Sequence, residues 1–235
     1  MNTVINSALI LGAYLLGSFP YMMLLSRAKG YNFSREADLH LSMLRKVGFL
    51  EALSGIAVDV LKGIVPILIG FYLDFAPSVI VAAGIAVLVG QMWPVFNRFD
   101  GEKGNTTGFG IVVALSAVYS AALIVLTGAV IVLIGFSVRT IPRFTKSGQT
   151  TKERLKFDGP PSNSLPVAML IAFAAMPLVA WLIGVPLHVL MLLIAVFLLI
   201  VLRRLTAGLY IDIRTPRTGI TRILIMRFLL DRSYF

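Results

Sequence analysis

The chain contains no cysteine, so neither a disulfide framework nor a thiolate metal site can be part of its design. Charge is scarce as well, with Asp, Glu, Lys and Arg making up 14% of residues. Only two histidines occur, His40 and His188, which leaves hydrolytic triads without support. No His, Asp and Glu cluster shows metal-ligand spacing along the sequence, so no metal and no cofactor is expected. The connections Leu73 to Ser78 and Ile183 to Val185 hold no Lys or Arg. The N-terminus lacks a basic n-region and a small-residue cleavage site, and it reads as a retained first span rather than a signal peptide. Internal repeats are lacking, which disfavours an inverted-repeat transporter.

What is present in quantity is apolar surface. Hydrophobic residues make up 58% of the chain and mean hydropathy is +0.90, far from the soluble average. Several runs of about 20 apolar residues read as membrane spans, which predicts an all-α polytopic membrane protein. The net charge of +10 would suggest nucleic acid in a soluble protein. In a membrane protein, basic loops instead fix orientation and meet anionic headgroups, so a lipid surface is the expected partner and nucleic acid is not.

Span one runs from about Thr3 to Leu25, and Pro20 in its Gly17-Ser18-Phe19-Pro20 run should kink it near the end. A basic loop follows, with Arg27, Lys29, Arg35, Arg45 and Lys46. Span two, about Gly48 to Tyr72, carries a stripe of Arg45, Gly48, Ala52, Gly55, Asp59, Lys62 and Pro66, spaced alternately three and four apart. That spacing puts all seven on one helical face, turned to the bundle interior or to water. Span three covers about Val79 to Phe96, and Trp93, Phe96 and Phe99 read as interfacial anchors.

Between Gly90 and Gly110 the chain reads GQMWPVFNRFDGEKGNTTGFG. Glycines at 101, 104, 108 and 110 surround Lys103 just ahead of an apolar helix. Such a loop can present backbone N–H groups, a helix N-terminus and one full positive charge to a phosphate.

The apolar stretch from Gly108 to about Phe136 would make a helix of roughly 45 Å, too long for one ~30 Å hydrocarbon core and too short for two. It is either one tilted span or a broken hairpin. The next loop, 137–163, carries Arg139, Arg143, Lys146, Lys152, Arg154 and Lys156. A hairpin bent near Ser116 to Ser120 puts these on the same side as the other basic loops, and this satisfies the positive-inside rule. With spans at about Leu165 to Leu182 and Pro186 to Leu202, the count is about seven helices, with the N-terminus outside and the C-terminus cytoplasmic. Residues 1–208 form the membrane-embedded unit, 137–163 an expanded loop, and 209–235 a basic tail. The stretch from Thr218 to Arg232 reads as an amphipathic helix at the headgroups.

The ordered set GSFP (17–20), Arg45, DVLKG (59–63), GQMWPVFNRFDGEKG (90–104) with Thr107 and Gly108, and RRLTAG (203–208) resembles the bacterial acyl-phosphate:glycerol-3-phosphate acyltransferases. The resemblance implies a seven-helix membrane enzyme that acylates glycerol 3-phosphate from acyl phosphate, giving lyso-phosphatidic acid for phospholipid synthesis. It implies a site on the cytoplasmic face of the bacterial inner membrane. It assigns phosphate binding to Arg45, Lys62, Gly101, Lys103, Gly104 and Thr107, with Asp59 supporting the pocket; Asp59 and the lone loop histidine His40 are the candidates for chemistry. The sequence departs from the family pattern at READLHLS (35–42), where the family has a Ser-Gly-Asn-x-Gly-Ala-Thr-Asn run. It departs again at Gln91, Glu102, Leu198 and Val201, which replace a His, a Gly, a His and an Asn. These losses raise the alternative of a relative that binds lipid phosphate or a partner without turnover.

Overall fold

The structure, a computed structural model, describes residues 3–33, 39–144, 163–214 and 219–231. All regular structure among the described residues is helical. In chain order the elements are α1 (Thr3–Ser18), α2 (Tyr21–Ala28), α3 (Leu39–Lys46), α4 (Phe49–Tyr72) and α5 (Pro77–Met92). A 3-10 turn (Val95–Asn97) follows, then α6 (Asn105–Val118), α7 (Ala122–Phe144), α8 (Ser164–Leu182), α9 (Leu187–Thr206), α10 (Leu209–Arg214) and α11 (Ile220–Leu230).

Among the described residues six helical stretches are long and apolar enough to cross a membrane, and the shorter apolar α6 makes a seventh element among them. This is a multi-pass membrane protein. Large apolar side chains such as Leu133, Leu187 and Leu198 stay exposed on the outside of the bundle, where lipid replaces water as solvent. The core lies where α5, α6, α8 and α9 meet, around Val87, Leu88, Met92, Ile111, Leu192 and Ile200.

The expected kink at Pro20 is a full break that separates α1 from α2 at Phe19-Pro20. The hairpin is also present. Helix α6 ends at Val118, Ser120 takes a left-handed φ of 52°, and α7 starts at Ala122. At this turn Tyr119 meets Phe71 at the end of α4 and His188 at the start of α9. The turn therefore sits at the bundle end opposite the glycine-rich loop, and α7 runs back from it.

Glycines set how closely the helices approach. A Cβ on Gly63 would lie 2.2 Å from the Thr107 carbonyl oxygen, and one on Gly110 would lie 2.1 Å from that of Val60. Helices α4 and α6 thus touch backbone to backbone, a contact only small residues allow. This contact holds the start of α6 beside Asp59 and Lys62.

The stripe on span two is partly borne out. Ala52, Gly55, Asp59, Lys62 and Pro66 are buried on one face of α4. Arg45 is not on that helix. The chain turns at Val47-Gly48, so Arg45 belongs to α3 and is exposed. Periodicity carried across a helix start predicts a common face that the break removes. Of the expected expanded loop 137–163, helix α7 takes the part up to Phe144, and 145–162 lies outside the described residues, as do 35–38 of READLHLS.

Candidate functional site

Asp59 and Lys62 are one helical turn apart on α4 and almost wholly buried, at 1% and 3% exposure. A buried ion pair costs desolvation unless its remaining donors and acceptors are used. The Lys62 ammonium uses all three of its protons. Lys62 Nζ donates to Asp59 Oδ1 at 3.0 Å, to Gln91 Oε1 at 2.9 Å and to the Phe19 carbonyl at 2.7 Å. The break before Pro20 frees that carbonyl from a regular helical bond.

The other Asp59 oxygen faces His40. His40 Nε2 lies 3.3 Å from Asp59 Oδ2 and 3.1 Å from Glu102 Oε2. Burial works against the imidazolium, but hydrogen bonds and charges from Asp59 and Glu102 outweigh it and push the His40 pKa up to about 10. Burial holds the Glu102 carboxyl above the usual carboxylate range, against the pull of His40. Two carboxylates and two cations thus form one network contributed by α3, α4, α5 and the glycine-rich loop.

Glu102 beside the glycine-rich loop would repel a phosphate unless it paired with Lys103 or turned to solvent. It does neither, because the bond from its N–H to the Gln91 carbonyl, at 3.1 Å, folds the loop back under α5. The absence of a metal-ligand cluster also needs correction at the level of geometry. His40, Asp59 and Glu102, 62 residues apart at the extremes, bring ligand atoms within 4.8 Å of one another. Sequence spacing is blind to such a grouping because three separate elements supply it. Lys62 lies against Asp59 and the His40 imidazole against both carboxylates, so the trio is engaged in ion pairs with itself and with Lys62.

The loop itself is tightly determined. A Cβ on Gly101 would lie 2.3 Å from the Gln91 carbonyl oxygen, and Gly104 adopts a left-handed φ of 77° as it leads into α6. No side chain caps α6, so its first N–H groups are left for another acceptor. Thr107, in the first turn, is fully buried with its hydroxyl unpartnered. Lys103 points away from this centre. Its Nζ meets both Asp231 Oδ2 and the Asp231 carbonyl at 3.0 Å.

The structure therefore brings together Asp59, His40 and Lys62, with Gly101, Gly104 and Thr107 alongside. Arg45 and Lys103 lie outside that group. Residues missed from sequence are Gln91, the Phe19 carbonyl, Arg203 and Asp231. Arg203 Nη2 donates to Asp100 at 2.8 Å and to the Gly101 carbonyl at 2.7 Å, with its guanidinium 5.6 Å from the Trp93 ring centroid. Trp93, half-buried, thus also supports the loop through Arg203. The run RRLTAG could have pointed to Arg203, because a cation in an apolar span needs an internal partner.

An apolar groove of about 300 Å³ lies between α1 and α4, lined by Ala8, Leu9, Gly12, Leu16, Val65 and Ile69 among others. It runs along the same α4 surface that carries Lys62 one turn away.

With this geometry in view, the comparisons with known proteins are direct. The family model described as glycerol-3-phosphate acyltransferase matches residues 7–208. The chain belongs to the glycerol-3-phosphate acyltransferase family. The glycerol-3-phosphate acyltransferase of Glaesserella parasuis serovar 5 is 40% identical over 124 residues, covering 51% of this chain and 60% of that protein. The enzyme of Haemophilus ducreyi is 37% identical over 133 residues, covering 55% and 67%. That of Rubrobacter xylanophilus is 37% identical over 111 residues, covering 46% and 56%. The matched region thus spans about three fifths of these relatives. Two crystal structures of PlsY, an integral membrane glycerol 3-phosphate acyltransferase, share the fold. Its lysophosphatidic acid form has a TM-score of 0.65 at 24% identity, covering 91% of this chain and 94% of PlsY. Its glycerol 3-phosphate form has a TM-score of 0.67 at 24% identity, covering 93% and 98%.

Proposed function

We propose that this family member is a membrane acyltransferase that moves an acyl chain from acyl phosphate to the sn-1 hydroxyl of glycerol 3-phosphate, giving lyso-phosphatidic acid. The observation that carries this reading is the uncapped start of α6. It is packed through Gly63 against the Asp59–Lys62 turn of α4, and the apolar groove between α1 and α4 begins one turn further along that same helix. A phosphate head and an acyl tail need those two environments side by side.

Acyl phosphate is an activated anhydride. The hydroxyl oxygen attacks its carbonyl carbon, the carbon–oxygen bond to phosphate breaks, and phosphate leaves with the electron pair. The protein's task is to hold two anions and a hydroxyl together and offset their repulsion. The Gly101–Gly104 segment, the α6 N-terminus and Thr107 supply donors, and Lys103 and Arg45 supply charge from the rim. Lys62, fully engaged, is a positioning residue that holds Asp59, Gln91 and Phe19 in place. A protonated His40 acts as a cation rather than a base, so the hydroxyl proton passes to the departing phosphate, a dianion near neutral pH. The site faces the cytoplasm of a bacterial inner membrane, the orientation that gathers the basic loops on one side.

A second reading, binding of lipid phosphate or a partner without turnover, draws support from Glu102 and Asp231. Asp231 stands against Lys103, a cation that a substrate phosphate would use, and Glu102 adds a second carboxylate against His40. Purified protein given acyl phosphate and labelled glycerol 3-phosphate separates the two. Labelled lyso-phosphatidic acid is expected, with kcat/KM falling on the order of 10²-fold in Lys103→Ala. Binding of glycerol 3-phosphate with no product would favour the second reading.

A further inference from the structure

The family model stops at residue 208, and the chain then adds α10 and α11. This addition is firmly attached. Arg227 on α11, 2% exposed, donates through Nε to the buried Asp212 of α10 at 2.6 Å, and its guanidinium also reaches the Ala207 carbonyl. Arg204 Nη1, at the end of α9, donates to the Pro166 carbonyl at 3.1 Å and, at a longer 3.5 Å, to that of Phe228. The neighbouring Arg203 holds Asp100 and Gly101. One end of α9 therefore grips the glycine-rich loop with one arginine and the added segment with the next.

The segment finishes at the loop lysine. Asp231 caps α11 in a left-handed conformation, φ 55°, where the helix presents its negative end. Lys103 receives three kinds of negative charge there: the helix terminus, the Asp231 carbonyl and the Asp231 carboxylate. Those are the interactions a phosphate oxygen would otherwise offer. The contact also lies near the rim, with Lys103 at 32% and Asp231 at 12% side-chain exposure, so an incoming anion can compete for the lysine.

We infer that α10 and α11, with Asp231 at the end of α11, are a built-in competitor for the phosphate subsite, in which Asp231 occupies Lys103 and a phosphate-bearing ligand must displace it. The inference rests on the proposed role of Lys103 in phosphate binding. It gives the added segment a purpose, namely to lower the affinity for phosphate esters.

The test is titration calorimetry of glycerol 3-phosphate against the full chain in lipid nanodiscs, comparing wild type, Asp231→Asn and Lys103→Ala. Asparagine tolerates the left-handed conformation, so Asp231→Asn removes the charge and keeps the helix end. Losing one partly exposed ion pair corresponds to binding about fivefold tighter. Binding by Asp231→Asn no tighter than wild type, while Lys103→Ala abolishes binding, would overturn the competitor and leave the phosphate role of Lys103 standing. Unchanged affinity in Lys103→Ala would overturn both. A second readout is the salt profile: added sodium chloride should narrow the gap between wild type and Asp231→Asn, and a gap that does not narrow counts against an ion-pair competitor.

Discussion

Each end of the bundle holds one of the two histidines, and the two ends use them in opposite ways. At one end His188 Nε2 meets the Tyr119 hydroxyl at 2.6 Å, beside a cavity of about 380 Å³ lined by Tyr119 to Leu123 and Ile183 to Pro186. Lysine and arginine are lacking from these connections, and the pair is a hydrogen bond between two helix ends. At the other end His40 faces two carboxylates, with a buried lysine behind them. The fold gathers its ionic chemistry at one end and leaves the other to hold helices together. The same residue type is a tie in one place and a charge in the other, and what decides is the company the chain brings to it.

The strongest way to break this contrast is to remove the buried cation. Lys62→Met leaves Asp59 buried with a charge that only His40 balances, and such losses cost about 3–5 kcal/mol. Thermal unfolding in detergent should show a large drop, whereas a variant as stable as wild type would mean that the network is not held by its charges. Glu102→Gln comes next. It removes a carboxylate beside the α6 N-terminus, and glycerol 3-phosphate should bind about fivefold tighter as like-charge repulsion is relieved. Weaker binding in calorimetry would assign Glu102 to the ligand rather than against it.

A pH series sharpens the comparison further. His40 stays protonated in the folded chain up to about pH 10, against 6.5 when unfolded. The stability it lends is therefore complete below pH 6.5 and is lost as pH rises to about 10. Melting temperature should fall across that window in wild type and be flatter in His40→Gln, and parallel curves for the two proteins would refute the shift. The smallest effect is expected at the quiet end, where Tyr119→Phe should cost about 0.5–1.5 kcal/mol, one ordinary hydrogen bond, with kcat/KM unchanged.

Most of this architecture is legible in the sequence. Apolar runs give the spans, and charge counting chooses the hairpin that Ser120 turns. The buried face of α4 follows from the spacing of Ala52, Gly55, Asp59, Lys62 and Pro66. The site is less legible. Helical periodicity carries Arg45 onto that face because nothing in the spacing marks the break at Gly48. Glu102 looks like a misplaced charge until His40 arrives from α3. Gln91 looks like a lost histidine until Lys62 takes it as an acceptor. Lys103 reads as a phosphate ligand, and only long-range folding of α11 reveals Asp231 beside it. In each case the local pattern fixes where a side chain starts, and contacts between distant segments fix what it meets.

The interruption at Phe19-Pro20 has an effect beyond bending a helix. A peptide oxygen cannot be replaced by mutation of its own side chain, so one of the three acceptors on Lys62 is written into the main chain and survives any substitution at position 19. Pro20→Ala would let the helix run on and claim that oxygen for itself, so a change in the first membrane crossing would loosen an ammonium 42 residues further along.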